Sequence, residues 1–290
     1  MRTKQISKLP FKKREKLDMF VNFLLALSIL IAFVTLGALI FNIVSVGWRW
    51  FDWQFINSFP SRKPEIAGIK AAFFGTIWVM SITAALSIPI GVSTAIYLEM
   101  FAKDTRFNKF IKLNISNLAG VPSIIYGIIG MAIFVEFFKL GRVILAGSLT
   151  MSLLVLPIII IASQEALKQV PSYYLDAALA LGATKWQAVI NIVLPQSIPG
   201  IVSGFILAMS RAIGESAPMI AISALVYVTF LPSGPLDRFT VMPIQIYNWI
   251  SQPQDDFRGL AAAGIILLLL MLLTLNSFAI LLRDYFQKRS

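Results

Sequence analysis

GLAAAGIILLLLMLLTLNSFAILL, residues 259–282, is a run of 24 amino acids without Asp, Glu, Lys or Arg. Crossing the hydrocarbon core of a bilayer takes about 20 apolar residues in a helix, so this run is long enough to span a membrane. Five more uncharged runs of sufficient length precede it, at 19–48, 71–98, 113–135, 143–164 and 186–210. The six runs predict an all-α integral membrane protein with six transmembrane helices.

The overall composition indicates the same class. Of the 290 residues, 58% are hydrophobic and 13% are charged, and the mean hydropathy is +0.80. Soluble domains carry roughly a quarter charged residues. The first apolar run, 19–48, is about twice as long as the core of a signal peptide. We therefore expect this run to remain in the protein as a helix.

The distribution of basic residues predicts the orientation. Sixteen of the 25 Lys and Arg residues fall on the side of the predicted membrane that holds both chain ends, and eight fall on the opposite side. Because cytoplasmic loops carry the excess of Lys and Arg, we expect cytoplasmic N and C termini. Residues 1–18 would be a basic tail and residues 19–290 a transmembrane domain. This charge pattern explains the net charge of +11 without a nucleic-acid partner.

Several kinds of chemistry lack their usual residues. The chain has no Cys and no His, which removes thiolate sites, the commonest metal ligand and the commonest general base. It also has no Gly-Lys dipeptide, so it has no Walker A loop for nucleotide phosphates. We expect no metal site, no cofactor and no enzymatic activity in this chain.

The predicted cytoplasmic loop 165–195 has an ordered pattern of helix signals. Ser172 and Thr184 are candidate N-caps of two short helices, and Gly182 can supply the left-handed turn between them. The residues with a fixed spacing in this loop are Glu165, Asp176, Ala177, Ala178, Gly182, Ile192, Leu194 and Pro195.

This spacing resembles the EAA motif of ATP-binding-cassette (ABC) importer permeases, E-A-A-x3-G-x9-I-x-L-P, with Asp176 in place of the usual Glu. The resemblance implies a type I ABC importer permease fold, with a permease core at about 71–282. It also implies that the loop forms a coupling helix that docks on a separate ATPase, which would bind ATP and Mg²⁺. An ordinary helical hairpin between two membrane spans is the alternative interpretation.

A charged pair interrupts the fifth apolar segment. Arg211 and Glu215 lie four residues apart, and a charge at the bilayer centre costs on the order of 3 kcal/mol. Such residues usually face a bundle interior or a wet cavity. Pro218 lacks an amide hydrogen, so we expect a kink that leaves the carbonyl of Gly214 without its helical partner. The candidate substrate-path residues are Ser210, Arg211, Gly214, Glu215 and Ser216.

The same segment carries a stripe of small residues at intervals of four: Gly200, Gly204, Ala208 and Ala212. Small residues let a second helix approach closely within a membrane, so we expect a helix contact along this stripe. Arg211 and Glu215 lie on an adjoining face. Arginine suits a small oxyanion because its fork of donors matches phosphate geometry. A buried ion pair that only fixes helix register is the alternative for the two charges.

A narrower resemblance starts from SRAIGESAP, residues 210–218, which is similar to the R-A-x-G-E-T-A-P signature of phosphate importer permeases. Residues 117–127 also resemble this family, and residues 59–69 and 243–247 resemble its PstA branch as opposed to the PstC branch. The resemblance implies a heterodimeric channel with a PstC-like second permease, two PstB-like ATPases and a PstS-like external phosphate-binding protein.

Three other functions remain open at this point. The chain could be a permease for another oxyanion such as molybdate or sulfate, an ion-coupled secondary carrier, or a scaffold or sensor subunit that transports nothing. The external apolar patch 244–250 has two interpretations, a helix on the membrane surface or a docking face for an external partner.

Overall fold

The computed structural model describes residues 11–222, 224 and 227–287, so most of the predicted basic tail 1–18 lies outside the described residues. Within these ranges the chain is helical and its one β-type pairing is the bridge between Val143 and Arg238. The α-helices are α1 Phe11–Gly47, α2 Trp53–Asn57, α3 Lys70–Ile96, α4 Arg106–Ala119, α5 Ser123–Gly130, α6 Ile144–Lys168, α7 Ser172–Ala180, α8 Lys185–Ala188, α9 Leu194–Gly214, α10 Ala217–Ala221, α11 Met242–Ile250 and α12 Asp255–Gln287.

Wider π-type turns extend three of these helices. They follow α3 at Tyr97–Phe101, follow α5 at Met131–Phe137 and join α8 to α9 at Val189–Val193. Single 3₁₀ turns at Trp48–Trp50 and Pro64–Ile66 lie in the first external connection.

Five continuous helical segments of the described chain are long and apolar enough to cross a membrane: Asp18–Trp50, Lys70–Phe101, Ile144–Lys168, Lys185–Gly214 and Asp255–Leu281. A sixth crossing is formed if the bent pair Arg106–Ala119 and Ser123–Phe137 counts as one span. The all-α membrane class is therefore confirmed, and with six crossings the start of α1 and the end of α12 lie on the same side.

The third predicted span differs from expectation. The run 113–135 is not one straight helix, because the chain bends by 103° between α4 and the segment that starts with α5. Pro122 is the N-cap of α5, and a proline cannot continue the preceding helix because it lacks an amide hydrogen. The hydroxyl of Tyr126 donates to the carbonyl of Leu118 across the bend at 2.7 Å, which ties the two arms together.

Helix α6 lies at the centre of the packing. About two thirds of its most apolar stretch is buried inside the chain, more than in any other crossing described. Gly91 of α3 lies against Ile159, and Gly204 of α9 lies against Ala162. A Cβ atom at Gly204 would overlap the Cβ of Ala162. The small residues thus bring α3 and α9 into close contact with α6.

The external apolar patch is mostly buried within the chain itself. It forms α11, in which Trp249 is 1% exposed and packs its ring 5.8 Å from that of Phe55. Ile244 and Ile246 are also buried. Neither interpretation of residues 244–250 holds for the whole patch, because this helix closes the external end of the bundle and leaves only Tyr247 and Ile250 strongly exposed.

The first helix has few contacts. None of the most apolar 18-residue stretch within Asp18–Trp50 is buried, and the close approach occurs at its external end. There a Cβ atom at Gly47 would lie 2.7 Å from the backbone of Ala262 in α12. The rest of α1 therefore presents its apolar side chains to the surroundings of the chain.

Candidate functional site

The charged pair lies at the external end of α9. The Nε of Arg211 and the Oε1 of Glu215 are 3.3 Å apart, with 52% of the Arg211 side chain and 20% of the Glu215 side chain exposed. Arg211 is in the last turn of the helix, where the helix dipole stabilises a cation. Glu215, at the C-cap, lacks that support, so the guanidinium is the partner that offsets its charge.

The two side chains have different surroundings. Arg211 lines an open groove of about 410 Å³ with apolar neighbours from α6 and α9, among them Ile158, Ile161 and Leu207. Glu215 lines an internal cavity of about 10 Å³, a volume close to that of one water molecule. The carboxylate therefore reaches inward and the guanidinium lies on the surface of the chain.

The helix breaks at this pair. The sequence predicts a kink near Pro218, but α9 ends at Gly214 and α10 begins at Ala217, with Pro218 in its first turn. The amide of Glu215 donates to the carbonyl of Ala212 in a tighter turn. A proline in the first helical turn is favourable because the amide hydrogen there has no helical partner, so Pro218 starts a new helix rather than bending the old one.

The break in α9 contacts the bend before α5. A Cβ atom at Gly127 would lie 2.7 Å from the Cα of Pro218 and 2.6 Å from the Cβ of Ala221. Only glycine permits this backbone approach. The two discontinuities of the membrane domain, in the third and fifth spans, therefore pack directly on each other.

The other candidate path residues differ in their exposure and in their hydrogen bonds. Ser210 donates a hydrogen bond to the Oδ1 of Asn276 in α12, so its hydroxyl already has a partner inside the chain. Gly214 is exposed, and a Cβ atom there would meet nothing within 4 Å. Ser216 is half-buried between α9 and α10. Arg211, Glu215 and Gly214 thus form the part of the set open to a ligand.

The stripe of small residues faces α6. Gly200 and Gly204 pack against Ala166 and Ala162, and Ala208 and Ala212 are 1% and 2% exposed. Arg211 lies next to the last residue of the stripe, at its edge. The contact with α6 therefore fixes the rotation of α9 and directs Arg211 to the adjoining surface.

The cytoplasmic loop forms a helical hairpin. Helix α7 ends before Gly182, whose φ of +86° is the left-handed conformation that glycine adopts without strain. Thr184 accepts a hydrogen bond from the amide of Gln187, and the Gln187 side chain accepts one from the Thr184 amide, which completes a capping box. Ser172 does not cap α7, because Pro171 occupies the N-cap position and makes no side-chain hydrogen bond.

The EAA-type residues of this hairpin divide into buried and exposed positions. Ala178 is 4% exposed, whereas Asp176, Ala177 and Gly182 are more open. Glu165 forms a 2.8 Å ion pair with Lys168 at the end of α6. The residues that join the hairpin to α9 are Ile192, Leu194 and Pro195, and none of the three is fully buried.

An apolar surface on the hairpin was missed by the sequence analysis. Leu181 is 89% exposed at the tip, next to Gly182, and Tyr173 is 60% exposed on α7. Leu179 and Trp186 of the same hairpin are also exposed, and a group of exposed apolar side chains is typical of a contact surface for another molecule. Asn276 was also missed, although an amide within the apolar run 259–282 is a signal for a polar contact between helices.

Comparisons with known proteins agree with this geometry. A profile of the family described as "Binding-protein-dependent transport system inner membrane component" matches residues 87–290. The chain is 28% identical over 259 residues to the probable ABC transporter permease protein YqgI of Bacillus subtilis, covering 85% of this chain and 88% of that protein. It is 32% identical over 236 residues to the phosphate transport system permease protein PstA of Mycobacterium leprae, covering 78% and 75%.

Solved structures show the same fold. A chain of a bacterial alginate ABC transporter, in complex with a periplasmic protein that holds an alginate pentasaccharide, matches with a TM-score of 0.64 at 15% identity, covering 93% of this chain and 95% of that one. A chain of the inward-facing MetNI methionine ABC transporter matches with a TM-score of 0.60 at 16% identity, covering 73% and 94%. The fold is that of ABC importer permeases, and the chain belongs to the family of binding-protein-dependent transport system inner membrane components.

Proposed function

We propose that this chain is the permease subunit of an ATP-driven phosphate importer, in which it forms half of the translocation path. As a member of its family it is a multi-pass inner-membrane protein that works with an ATPase and a substrate-binding protein, and it performs no ATP hydrolysis itself. Several of its relatives are phosphate transport permeases of the PstA type, matched over most of the chain.

The observation that carries the proposal is the position of Arg211. Its guanidinium is half exposed at the break between α9 and α10, and Glu215 holds it by an ion pair. The groove around it is otherwise apolar, and the bond to Glu215 is made by the Nε of Arg211, which leaves the two terminal amino groups for a ligand. A guanidinium binds the oxygens of phosphate through paired hydrogen bonds, and a tetrahedral oxyanion is the substrate class that fits this group.

The proposed assembly has three kinds of partner. A PstC-like permease would cover the face that holds Arg211, and a PstB-like ATPase dimer, with its own ATP and Mg²⁺, would receive the exposed tip of the hairpin at Leu181. A PstS-like phosphate-binding protein would dock on the external side. There a polar cavity of about 430 Å³, lined by Arg62, Asn248 and Gln252 among others, offers hydrogen-bonding groups to a docking protein.

The proposed mechanism is alternating access. Closure of the ATPase dimer would pull the hairpin α7–α8, which continues through Val189–Val193 into α9 without a loop. Because α9 ends at the Arg211–Glu215 pair, a movement of the hairpin would displace the charged pair and the contact between Gly127 and Pro218. Phosphate released by the external protein would then pass Arg211 toward the cytoplasm.

The first test replaces the arginine. We expect Arg211→Ala to abolish phosphate uptake by cells that lack other phosphate importers, because the anion loses its only cationic partner among the groove residues. Arg258→Ala is the matched control, since Arg258 is exposed and paired with Asp255 by a 3.1 Å ion pair at the external start of α12. Radiolabelled phosphate uptake is measured alongside co-purification of the ATPase. Normal uptake by the Arg211 variant would overturn the proposed path.

The second test concerns the anion. We expect excess unlabelled phosphate to compete with labelled phosphate, and excess molybdate or sulfate to leave uptake unchanged. Competition by molybdate or sulfate at equal concentration would assign the permease to another oxyanion instead. Uptake by this chain alone in ATPase-free liposomes would support the ion-coupled carrier.

A further inference from the structure

A long apolar groove runs along the outer surface of the chain between α3 and α9. It has two adjoining compartments of about 480 and about 770 Å³, which share Ile88, Ile201 and Val202. We call it the lateral groove. Its walls are formed by Ile77, Met80, Ser81, Ala84, Ile88, Pro89, Val92, Ser93, Ile96, Tyr97 and Phe101 from α3 and its π turn, and by residues 186–209 of the α8–α9 segment, with α12 closing part of the first compartment.

The lateral groove exists because its two walls both pack on a third helix. Gly91 of α3 and Gly204 of α9 each lie against α6, and the sides of α3 and α9 that turn away from α6 are left apart. The lining side chains at Ser81, Ala84 and Ser93 are too small to close the gap. From Ile77 to Phe101 the groove follows the chain for about 36 Å at 1.5 Å per residue, which is more than the roughly 30 Å hydrocarbon thickness of a bilayer.

The cytoplasmic end of the lateral groove differs from the rest. Tyr97, Phe101 and Trp186 line it, and aromatic rings of this kind favour the level of the lipid headgroups. The Nζ of Lys185 lies 5.6 Å from the centre of the Phe101 ring, and the Trp186 ring centre lies 5.7 Å from that of Phe101. Within the described ranges Lys185 pairs with no carboxylate, and Glu99 of the π turn is paired with Lys112 at 3.0 Å.

These features together match the shape of a phospholipid. An apolar channel through the bilayer, with a cation and aromatic rings at its cytoplasmic mouth, complements two acyl chains and one negative headgroup, and basic pockets between transmembrane helices on this side bind anionic headgroups. We propose that the cytoplasmic compartment of the lateral groove, from Ile88 to Phe101, binds an anionic phospholipid of the cytoplasmic leaflet, with its phosphate beside Lys185.

The site is connected to the coupling hairpin. Lys185 and Trp186 are the first two residues of α8, directly after the Thr184 cap and the Gly182 turn. A lipid held there links the hairpin to the membrane surface, so the lipid composition sets how firmly the hairpin is held. This inference involves neither Arg211 nor the identity of the transported anion.

The test uses the complete transporter, purified in detergent with its second permease and ATPase. Native mass spectrometry counts the phosphatidylglycerol and phosphatidylethanolamine molecules that remain bound. We expect Lys185→Gln to weaken retention of phosphatidylglycerol about fivefold, which corresponds to about 1 kcal/mol for one basic residue, and to leave phosphatidylethanolamine unchanged. Lys109→Gln is the matched control, an exposed basic residue paired with Asp104 at 3.1 Å, and it should retain phosphatidylglycerol as the wild type does.

A second pair of variants examines the groove itself. Ser93→Trp fills the larger compartment and should reduce retention of both lipids. Ser93→Cys places a unique thiol in a chain that has no natural cysteine, and we expect it to cross-link to a lipid carrying a thiol-reactive acyl chain. Equal phosphatidylglycerol retention by Lys185→Gln and wild type would overturn the proposal. Cross-linking of the Ser93→Cys thiol to a helix of the second permease would also overturn it, since that helix would then occupy the groove.

Discussion

Glu215 and Arg211 form one ion pair, but the structure separates their roles. The Glu215 side chain is 20% exposed beside an internal cavity, whereas the Arg211 side chain is 52% exposed on the groove. An arginine side chain has many rotamers, and ordering it when a ligand binds costs conformational entropy. An ion pair that already holds the side chain in one rotamer reduces the cost that remains to be met on binding. We therefore propose that Glu215 positions the guanidinium.

This role gives a prediction for Glu215→Gln. The amide keeps the volume but loses the ion pair, so we expect Arg211 to be less well oriented and phosphate uptake to fall about tenfold, the effect of about 1.4 kcal/mol on a rate. Uptake is measured at several phosphate concentrations, with Glu65→Gln as an exposed control in the external connection. If Glu215→Gln transports as fast as the wild type at every concentration, Arg211 needs no positioning.

Single residues show where sequence reasoning succeeds. Thr184 and Gly182 were predicted correctly as a cap and a left-handed turn because both effects depend on the residues immediately around them. Ser172 was predicted wrongly as a cap, since the preceding Pro171 already has an extended backbone that can begin the helix. The partner of Ser210, Asn276, lies 66 positions away, and local sequence patterns hold no information about a contact at that distance.

Among the helical elements, the hairpin α7–α8 is the most exposed to a partner. Its tip residue Leu181 is 89% exposed, and burying a leucine side chain contributes about 1.5–3 kcal/mol to association. We expect Leu181→Glu to reduce co-purification of the ATPase at least about tenfold. Leu236→Glu is the control, an external leucine that is 65% exposed. Undiminished ATPase recovery with Leu181→Glu would place the ATPase contact elsewhere on the chain.

The external turn before α11 holds the start of α6. The carboxylate of Asp237 accepts hydrogen bonds from the amides of Ser233 and Gly234 and from the Ser233 hydroxyl, at 2.7–2.9 Å. These bonds keep the pKa of Asp237 below its usual value. The carbonyls of Pro235 and Asp237 in turn accept from the amides of Leu145 and Ile144, two of the amides that have no partner inside α6.

A lowered carboxyl pKa has a defined effect on stability. The contribution of Asp237 is fully present above its ordinary pKa of about 3.9 and is lost as the pH falls through the lower pKa of the folded state. We therefore expect Asp237→Asn to melt at a lower temperature than wild type at pH 7. The difference in melting temperature between Asp237→Asn and the wild type should become smaller as the pH falls below about 4. Thermal unfolding of both purified proteins at pH 7 and at a pH below about 4 measures this difference. If the difference in melting temperature does not change with pH, the Asp237 carboxylate is excluded as its source.

The elements that were predicted poorly are those shaped by contacts between distant segments. The run 113–135 has the length and apolarity of a span, yet it breaks before Pro122, where α5 packs on α10 through Gly127. The patch 244–250 has an apolar helical pattern, but only the tertiary structure shows that Trp249 is enclosed by Phe55 and α12. The other long apolar runs, by contrast, form continuous helices that hydropathy alone specifies.

At the scale of the whole molecule, two of the surfaces that the described residues leave without an internal partner lie in the membrane-spanning part. Helix α1 buries none of its most apolar stretch. In the Arg211 groove, a cationic side chain lies exposed among apolar side chains. A charged residue facing lipid near mid-membrane costs on the order of 3 kcal/mol, so the groove is unfavourable in an isolated chain. This is consistent with a permease that works within a larger assembly.

We accordingly expect this chain to depend on a second permease for its stability. Expression without that partner should lower its steady-state level in the membrane, because the exposed groove destabilises the lone chain. Quantitative immunoblotting of membranes with and without the partner measures the effect, and Arg211→Leu should restore part of the level. Equal steady-state levels of this chain with and without the second permease would mean that the face around Arg211 does not require burial by a partner.

The contact between Gly127 and Pro218 has a mechanical consequence. Neither residue places a flexible side chain between the two backbones, so no rotamer change can absorb a shift of one segment against the other. The coupling hairpin is joined to α9 without a loop, and α9 ends three residues before α10 begins. A push on the cytoplasmic hairpin would therefore reach the third span through backbone contact alone, and we expect the segments around Gly127 and Pro218 to move as one unit.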